Sequence, residues 1–497
     1  MTRLFPSMRG HRTLAAVFAA LVIAALTGVS MAQSAADVPS TVDPKAVADT
    51  GDTAWMLMST ALVMVMMPGL ALFYAGMVRR KNVLGTMMHS MAALGIIGVE
   101  WVIIGYAMAF GQDHHGLIGW DPKLLFLGGI LPEHVHAGTK TPELVFVMFQ
   151  GMFAIITPAL ITGAFAERVK FSAFALFTLL WGLLIYNPLA HWVWGGGWLM
   201  PGAPGDTSIH MGAIDFAGGT VVHISAGFSA LVAVLYLGKR IGYPQGVLQP
   251  NALVLTLLGA GLLWFGWFGF NGGSAVGINN ANFGVAAVAF TTTQIAAAAG
   301  GMAWLIAEWI KHGRPTSLGF ASGLVAGLVA ITPASGYVAP WAAIVIGAAA
   351  GVVCFSAVLL KGKFGYDDSL DAFGVHGVGG FLGALLTGIF CTTAFNKAGA
   401  DGLVYGHGAQ FGKQFIAAAA AAVIASLGTL ILVVVIDKLI GFRVTRRVEI
   451  EGMDIGVHGE QGWMLEQMPL PSTEVPGSAS IDLAAARARE QENASIH

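Results

Sequence analysis

Long apolar stretches alternate with short polar ones along most of the chain. Eleven of them are long and apolar enough to cross about 30 Å of hydrocarbon as helices. Their expected bounds are 54–78, 84–111, 143–166, 171–194, 215–238, 250–271, 282–310, 317–332, 339–360, 373–393 and 412–437. The eighth is short and rich in glycine, so its ends are the least defined. The pattern predicts an all-α polytopic membrane protein, since a helix satisfies its own backbone N–H and C=O groups inside lipid.

Ahead of these stretches, Arg3, Arg9, His11 and Arg12 precede the apolar run TLAAVFAALVIAALTGV and the small-x-small site Ser30-Met31-Ala32. That is the build of a signal peptide over residues 1–32, with an uncleaved first span as the alternative. Residues 33–53 are polar and would lie outside the cytoplasmic membrane of a bacterium. Residues 464–497 begin Pro/Ser-rich and end in an Ala/Arg/Glu run, which reads as a disordered extension with a short helix.

Loop charges give the orientation. Arg79, Arg80, Lys81, Arg168, Lys170, Lys239, Arg240, Lys311, Arg314, Lys361 and Lys363 fall in alternate loops. The tail on the same side adds Lys438, Arg443, Arg446 and Arg447, against only Lys45, Lys123, Lys140, Lys397 and Lys413 on the other. Basic loops stay inside, so the mature chain is expected N-out and C-in, in the inner membrane. The spans also divide as five, five and one. Thr157-Pro158-Ala159 is echoed by Thr332-Pro333-Ala334, and DFAGGTVVHISAG (from Asp215) by DAFGVHGVGG (from Asp371). Because five is odd, the second set would be inverted, with a substrate path between the halves.

Composition narrows the class. The chain is 56% hydrophobic and 10% charged, where a soluble domain carries roughly a quarter charged residues. A net charge of −2 offers no basic surface to nucleic acid. Cys354 and Cys391 make neither a disulfide framework nor a cysteine metal site. No HExxH, nucleophile constellation or cofactor motif is present, so no enzyme, cofactor or metal is expected.

A few polar and aromatic residues stand out against the apolar background. Asp215 holds an N-cap position and can accept from the N–H groups of Ala217 and Gly218. At the outer end of a span it would also add negative potential for an arriving cation, and both readings stand. His223 lies about 12 Å deeper, at about 1.5 Å per residue. Intramembrane ionisable groups mark functional sites by default. His376, five residues after Asp371, falls nearer the inner end of its span. The two imidazoles can share a hydrogen bond as a functional pair or as a structural link. Phe149 and Phe153 share a helix face, Trp194 ends HWVWGGG, and Phe270 and Ser274 fall in WFGWFGFNGGS. These residues suit a cation cage and equally an interfacial aromatic belt. Glu100, in the second span, calls for a subunit interface or a polar partner. The loop 111–140 carries His114, His115, His134 and His136, a solvated set or a weak metal site.

FQGMFAIITPALITGAFAERVKFSA, NPLAHWVWGGG, DFAGGTVVHISAG, WFGWFGFNGGS and DAFGVHGVGG together resemble the ammonium transporter (Amt) family of the wider Amt/Mep/Rh group, over roughly positions 50–463. The resemblance implies eleven spans with a pore in each protomer of a homotrimer, and a membrane domain over 54–440. It implies that Phe149, Trp194 and Ser274 form an outer ammonium site supported by Asp215, above a phenyl gate of Phe153 and Phe270. His223 and His376 resemble the paired pore histidines. The tail 441–463 resembles the family's regulatory tail, which in relatives receives a PII-type signal protein.

Physical chemistry suits that reading. Ammonium titrates roughly two units above neutral, so removing its proton costs about 3 kcal/mol. Stripping the intact ion into an apolar pore costs on the order of tens of kcal/mol. Deprotonation at the outer site followed by ammonia passage, with the proton relayed by the histidines, is the lower barrier, and potassium cannot use it. A neutral Rh-like ammonia channel and an ammonium sensor are the competing expectations.

Overall fold

The computed structural model describes residues 39–202, 210–244, 248–279 and 283–463. The signal peptide expected over 1–32 and the extension expected over 464–497 lie outside them. The spans are α1 (Thr50–Met77), α2 (Arg80–Phe110), α3 (Glu143–Phe165), α4 (Phe171–Trp194), α5 (Gly219–Leu237), α6 (Leu253–Gly273) and α7 (Val285–His312). Then follow α8 (Ser317–Ile331), α9 (Pro340–Phe364), α10 (Phe373–Phe390) and α11 (Gly408–Ile440). Ten are long and apolar enough to cross a membrane; α8, with 15 residues, reaches only about 22 Å at about 1.5 Å per residue. The eleven apolar stretches thus become eleven helices. The only sheet structure among the described residues is two short ladders. β1 (Val42–Asp43) pairs with β4 (Val135–His136), and β2 (Asp113–His114) with β3 (Ile118–Gly119).

α1 packs along α6. α5 and α10 cross antiparallel, the start of each against the body of the other. Glycine permits that crossing: a Cβ on Gly227 would collide with the backbone of Gly377, and one on Gly380 would stand 2.9 Å from the His223 Cβ.

At the face opposite Trp194, the basic loop residues are not simply solvated. Arg168 is buried and donates to the Asp367 carbonyl at 2.6 Å and its carboxylate at 3.2 Å. Arg240 reaches both Asp367 oxygens at 2.8 and 2.9 Å and Glu167 at 3.2 Å. Arg79 donates to Glu167 at 2.9 Å. The tail closes over this network. The N–H of Val444 bonds the Arg168 carbonyl at 2.9 Å. Helix α12 (Arg446–Glu451), capped by Thr445, carries Glu449, which accepts from the Ile241 N–H at 2.6 Å and pairs with Arg443 at 2.8 Å. Farther on, Asn82 accepts from the Met453 N–H and Asp454 from the Gly85 N–H, each at 2.8 Å.

Burial alone would raise the Glu167 carboxyl, but Arg240 and Arg79 hold it below its ordinary 4.5. Burial likewise opposes, and Arg240 with Arg168 overrides, to hold Asp367 below 3.8. Depressed carboxyls stabilise above their ordinary values, and that stability is lost as pH falls through the lowered ones. The arginine–carboxylate network beneath the tail is therefore expected to hold at neutral pH and to loosen as pH falls below 4.5. Hydrogen exchange against pH at Val444, whose N–H bonds the Arg168 carbonyl, measures this; exchange indifferent to acid would contradict it.

Candidate functional site

Two cavities lie in line through the helical body. The larger, about 400 Å³, opens near the ends of α3, α4 and α6 and is lined by Phe153, Trp194, Asp215 and Ser274, with Phe110, His136, Phe146, Gln150 and Tyr337. The smaller, about 10 Å³, is lined by His223, His376, Trp267 and Phe270 among aliphatic side chains such as Leu70, Ile156 and Val325. That is room for about one water-sized molecule. Between them the rings of Phe153 and Phe270 stand 4.2 Å apart at 37°. Phe153 also meets Trp194 edge-on at 5.9 Å and Phe149 at 5.0 Å. Phe149 is fully buried and is not among the residues lining the larger cavity; its ring packs where a Cβ on Gly273 would fall.

Asp215 caps more of the chain than its position suggests. It accepts from the N–H groups of Gly218 (2.9 Å), as expected, and of Gly219 (2.6 Å), Thr220 (2.7 Å) and Val221 (3.2 Å) in place of Ala217. The helix therefore begins at Gly219 instead of 215, because Gly218 turns at φ 106° and the first turn winds as a π-helix over Gly219–Ile224. Both carboxylate oxygens are taken up by N–H groups, so the anion acts on the cavity through its potential. Its carbonyl accepts from the Trp194 indole at 2.9 Å, which fixes that ring on the cavity wall. Ser274 donates to the Phe270 carbonyl at 2.8 Å, which leaves the hydroxyl oxygen's lone pairs as acceptors.

The two histidines meet, with ring centroids 5.3 Å apart and planes at 17°. His376 does lie near the start of its span, as fourth residue of α10, yet it meets His223, the fifth residue of α5, because the two helices cross at their starts. The expected hydrogen bond between them is not made. Neither ring nitrogen of His223, nor Nδ1 of His376, has a partner among the described residues. His223 also stacks on Trp267 at 5.4 Å, and Trp267 in turn donates to Thr332 at 2.9 Å. Thr332 and Pro333 thus serve the site: the Pro333 carbonyl accepts from the Phe216 N–H at 3.1 Å beside the Asp215 cap.

The counterpart of Asp215 is Asp368, not Asp371. Asp368 is buried and accepts from the N–H groups of Ala372 (3.2 Å) and Phe373 (2.9 Å), capping a second π-helical start over Phe373–Gly377. Asp371 sits at φ 58° and pairs with Lys361 instead. The signal was in the spacing: Asp368 precedes His376 by eight residues, as Asp215 precedes His223.

Glu100 and the loop 111–140 resolve differently from each other. Glu100 is buried within the chain and finds a polar partner, accepting from Asn187 at 2.8 Å. His136 pairs with Glu143 at 2.8 Å and stacks on Phe146, so it is not a solvated loop residue. Among the described residues no three His, Cys, Asp or Glu side chains converge to hold a metal, so that alternative for the loop finds no ligand set.

The model of the Ammonium Transporter Family matches residues 54–463. An ammonium transporter of Bacillus subtilis is 48% identical over 416 residues, covering 83% of this chain and 98% of that relative. Among solved structures, Saccharomyces cerevisiae Mep2 superimposes with a TM-score of 0.73 at 34% identity, covering 80% of this chain and 88% of that one. A structure described as a sensor Amt protein gives 0.72 at 29% identity, covering 82% and 97%.

Proposed function

This chain belongs to the ammonium transporter family, and from that premise we propose how its two cavities divide the work. It is a multi-pass membrane protein that carries ammonium, not an enzyme. In our reading the larger cavity faces outward and recruits NH4+ between Trp194 and Ser274, with Asp215 supplying negative potential. Trp194 contributes cation–π attraction, worth about 0.5–2 kcal/mol. The Ser274 oxygen, its own proton spent on Phe270, accepts an N–H of the ion. Phe149 contributes by backing Phe153 rather than by touching the ion.

The observation that carries the reading is the size and lining of the smaller cavity. A space of about 10 Å³ walled by apolar side chains admits ammonia but not a hydrated cation, so the proton parts from ammonium near the Phe153–Phe270 pair. The unpartnered nitrogens of His223 and His376 then offer polar atoms on that stretch of wall for ammonia or the proton. Relay of the proton between them makes transport electrogenic. Inverted halves about the α5–α10 crossing, an N-out/C-in course, assembly as a homotrimer and a PII-type partner at the tail complete the proposal.

The test is the transient current evoked by an ammonium pulse on proteoliposomes of the protein, with potassium as control. An inward, ammonium-specific current supports the proposal. Internal alkalinisation without current points to a neutral ammonia channel, and silence in both to a sensor; either result rejects the relay. Ser274→Ala is expected to weaken apparent ammonium affinity about fivefold, for the loss of about 1 kcal/mol of hydrogen bonding, with the maximal current kept. An unchanged half-saturation would remove Ser274 from the site.

A further inference from the structure

Glu100 is an intramembrane carboxyl that the transport path does not use. It lies in α2, is 3% exposed, and among the described residues pairs with no cationic side chain. One oxygen, Oε1, accepts from Asn187 Nδ2; Oε2 has no partner, and neither has Oδ1 of the fully buried Asn187. Two acceptors are thus left over on two side chains that already share one hydrogen bond. Each is destabilising if left unpaired, a carboxylate more than an amide.

The backbone is built around this pair. α2 widens into a π-helix over Trp101–Gly105, immediately after Glu100. α4 does the same over Gly182–Tyr186, immediately before Asn187. Single π turns inside α-helices are frequently found at functional positions. The packing is tight: a Cβ on Gly105 would stand 3.0 Å from both carboxylate oxygens, and one on Gly182 3.8 Å from Oε2. The titratable neighbour on α4 is Tyr186, itself buried. α3 presents Val147 and Gly151 against the Trp101 indole. The space suits a proton and not a hydrated ion.

We infer that Glu100 is a proton-binding site: its carboxyl is held as the neutral acid, donating from Oε2 to Asn187 Oδ1 while Oε1 accepts from Asn187 Nδ2. One proton satisfies both leftover acceptors and removes the charge from the membrane interior. The resulting acid–amide ring ties α2 to α4 at the root of the segment Asn187–Trp194, which carries the cage tryptophan.

Infrared difference spectroscopy of the full chain in lipid at neutral pH, wild type minus Glu100→Gln, tests this. The wild type is expected to show a protonated-carboxyl C=O band that the variant lacks, shifted in Asn187→Leu where the ring is opened. Loss of an ionised-carboxylate band instead would overturn the inference. Folding gives a second readout. Glutamine reproduces both hydrogen bonds with its own amide, so Glu100→Gln is expected to melt with the wild type while Asn187→Leu melts lower. A Glu100→Gln chain that fails to assemble, or melts as low as Asn187→Leu, would also overturn it.

Discussion

Leucine in place of His223 is expected to abolish the ammonium-evoked current while leaving the protein folded. The imidazole is fully buried and makes no hydrogen bond among the described residues, so its removal orphans no partner. Leucine is of similar bulk and can pack against Trp267 and Phe270, which stand 5.4 and 6.1 Å from the ring. What disappears is the polar atom that receives the proton. Without it the charge must cross an apolar passage unaided, at a penalty many times the roughly 1.4 kcal/mol that changes a rate tenfold. The same loss is expected for His376→Leu, because a relay needs both members. Currents from proteoliposomes with equal protein loading decide it. Full, potassium-insensitive current in both single variants would end the relay proposal, and residual alkalinisation without current would show that ammonia still passes.

The parts of this arrangement legible in the sequence were those set by local runs. Helix bounds followed the apolar stretches closely because span length is a property of consecutive residues. Even α8 came out as short as its composition indicated. The fifth span is the exception: its apolar run starts at 215, but a carboxylate that collects four N–H groups holds the helix off until Gly219. Matching the letters of DFAGG to DAFGV selected Asp371, whereas geometry depends on the distance from cap to histidine, which selects Asp368. The π-helical starts had no local signature; both lie beside the close crossing of α5 and α10 at Gly227 and Gly377. Glu100 and Asn187 are 87 positions apart, and nothing in either run announces the other. The loop arginines read in the sequence as loop charges alone, yet Arg168 and Arg240 are internal struts, bound to carboxylates from distant loops.

Asp215→Ala should be the most damaging substitution at the outer site, and for a reason separate from ammonium. The change strips the acceptors from four backbone N–H groups that are buried with their residues. At about 1–3 kcal/mol for each unsatisfied donor, even partial relaxation leaves a loss of several kcal/mol, against a total stability of roughly 5–15 kcal/mol. The first turn of α5, which carries His223, would fray, and the Asp215 carbonyl that anchors Trp194 would shift with it. Asp215→Asn separates the two roles of this residue. The amide keeps one acceptor oxygen but turns an NH2 toward the remaining N–H groups, and it removes the charge. Melting temperature and ammonium half-saturation, measured on the same preparations, are expected to worsen together in both variants, with alanine the more severe. An Asp215→Asn protein that melts like the wild type yet loses ammonium affinity would make the charge, not the cap, the dominant contribution. Wild-type melting in Asp215→Ala would remove the capping argument altogether.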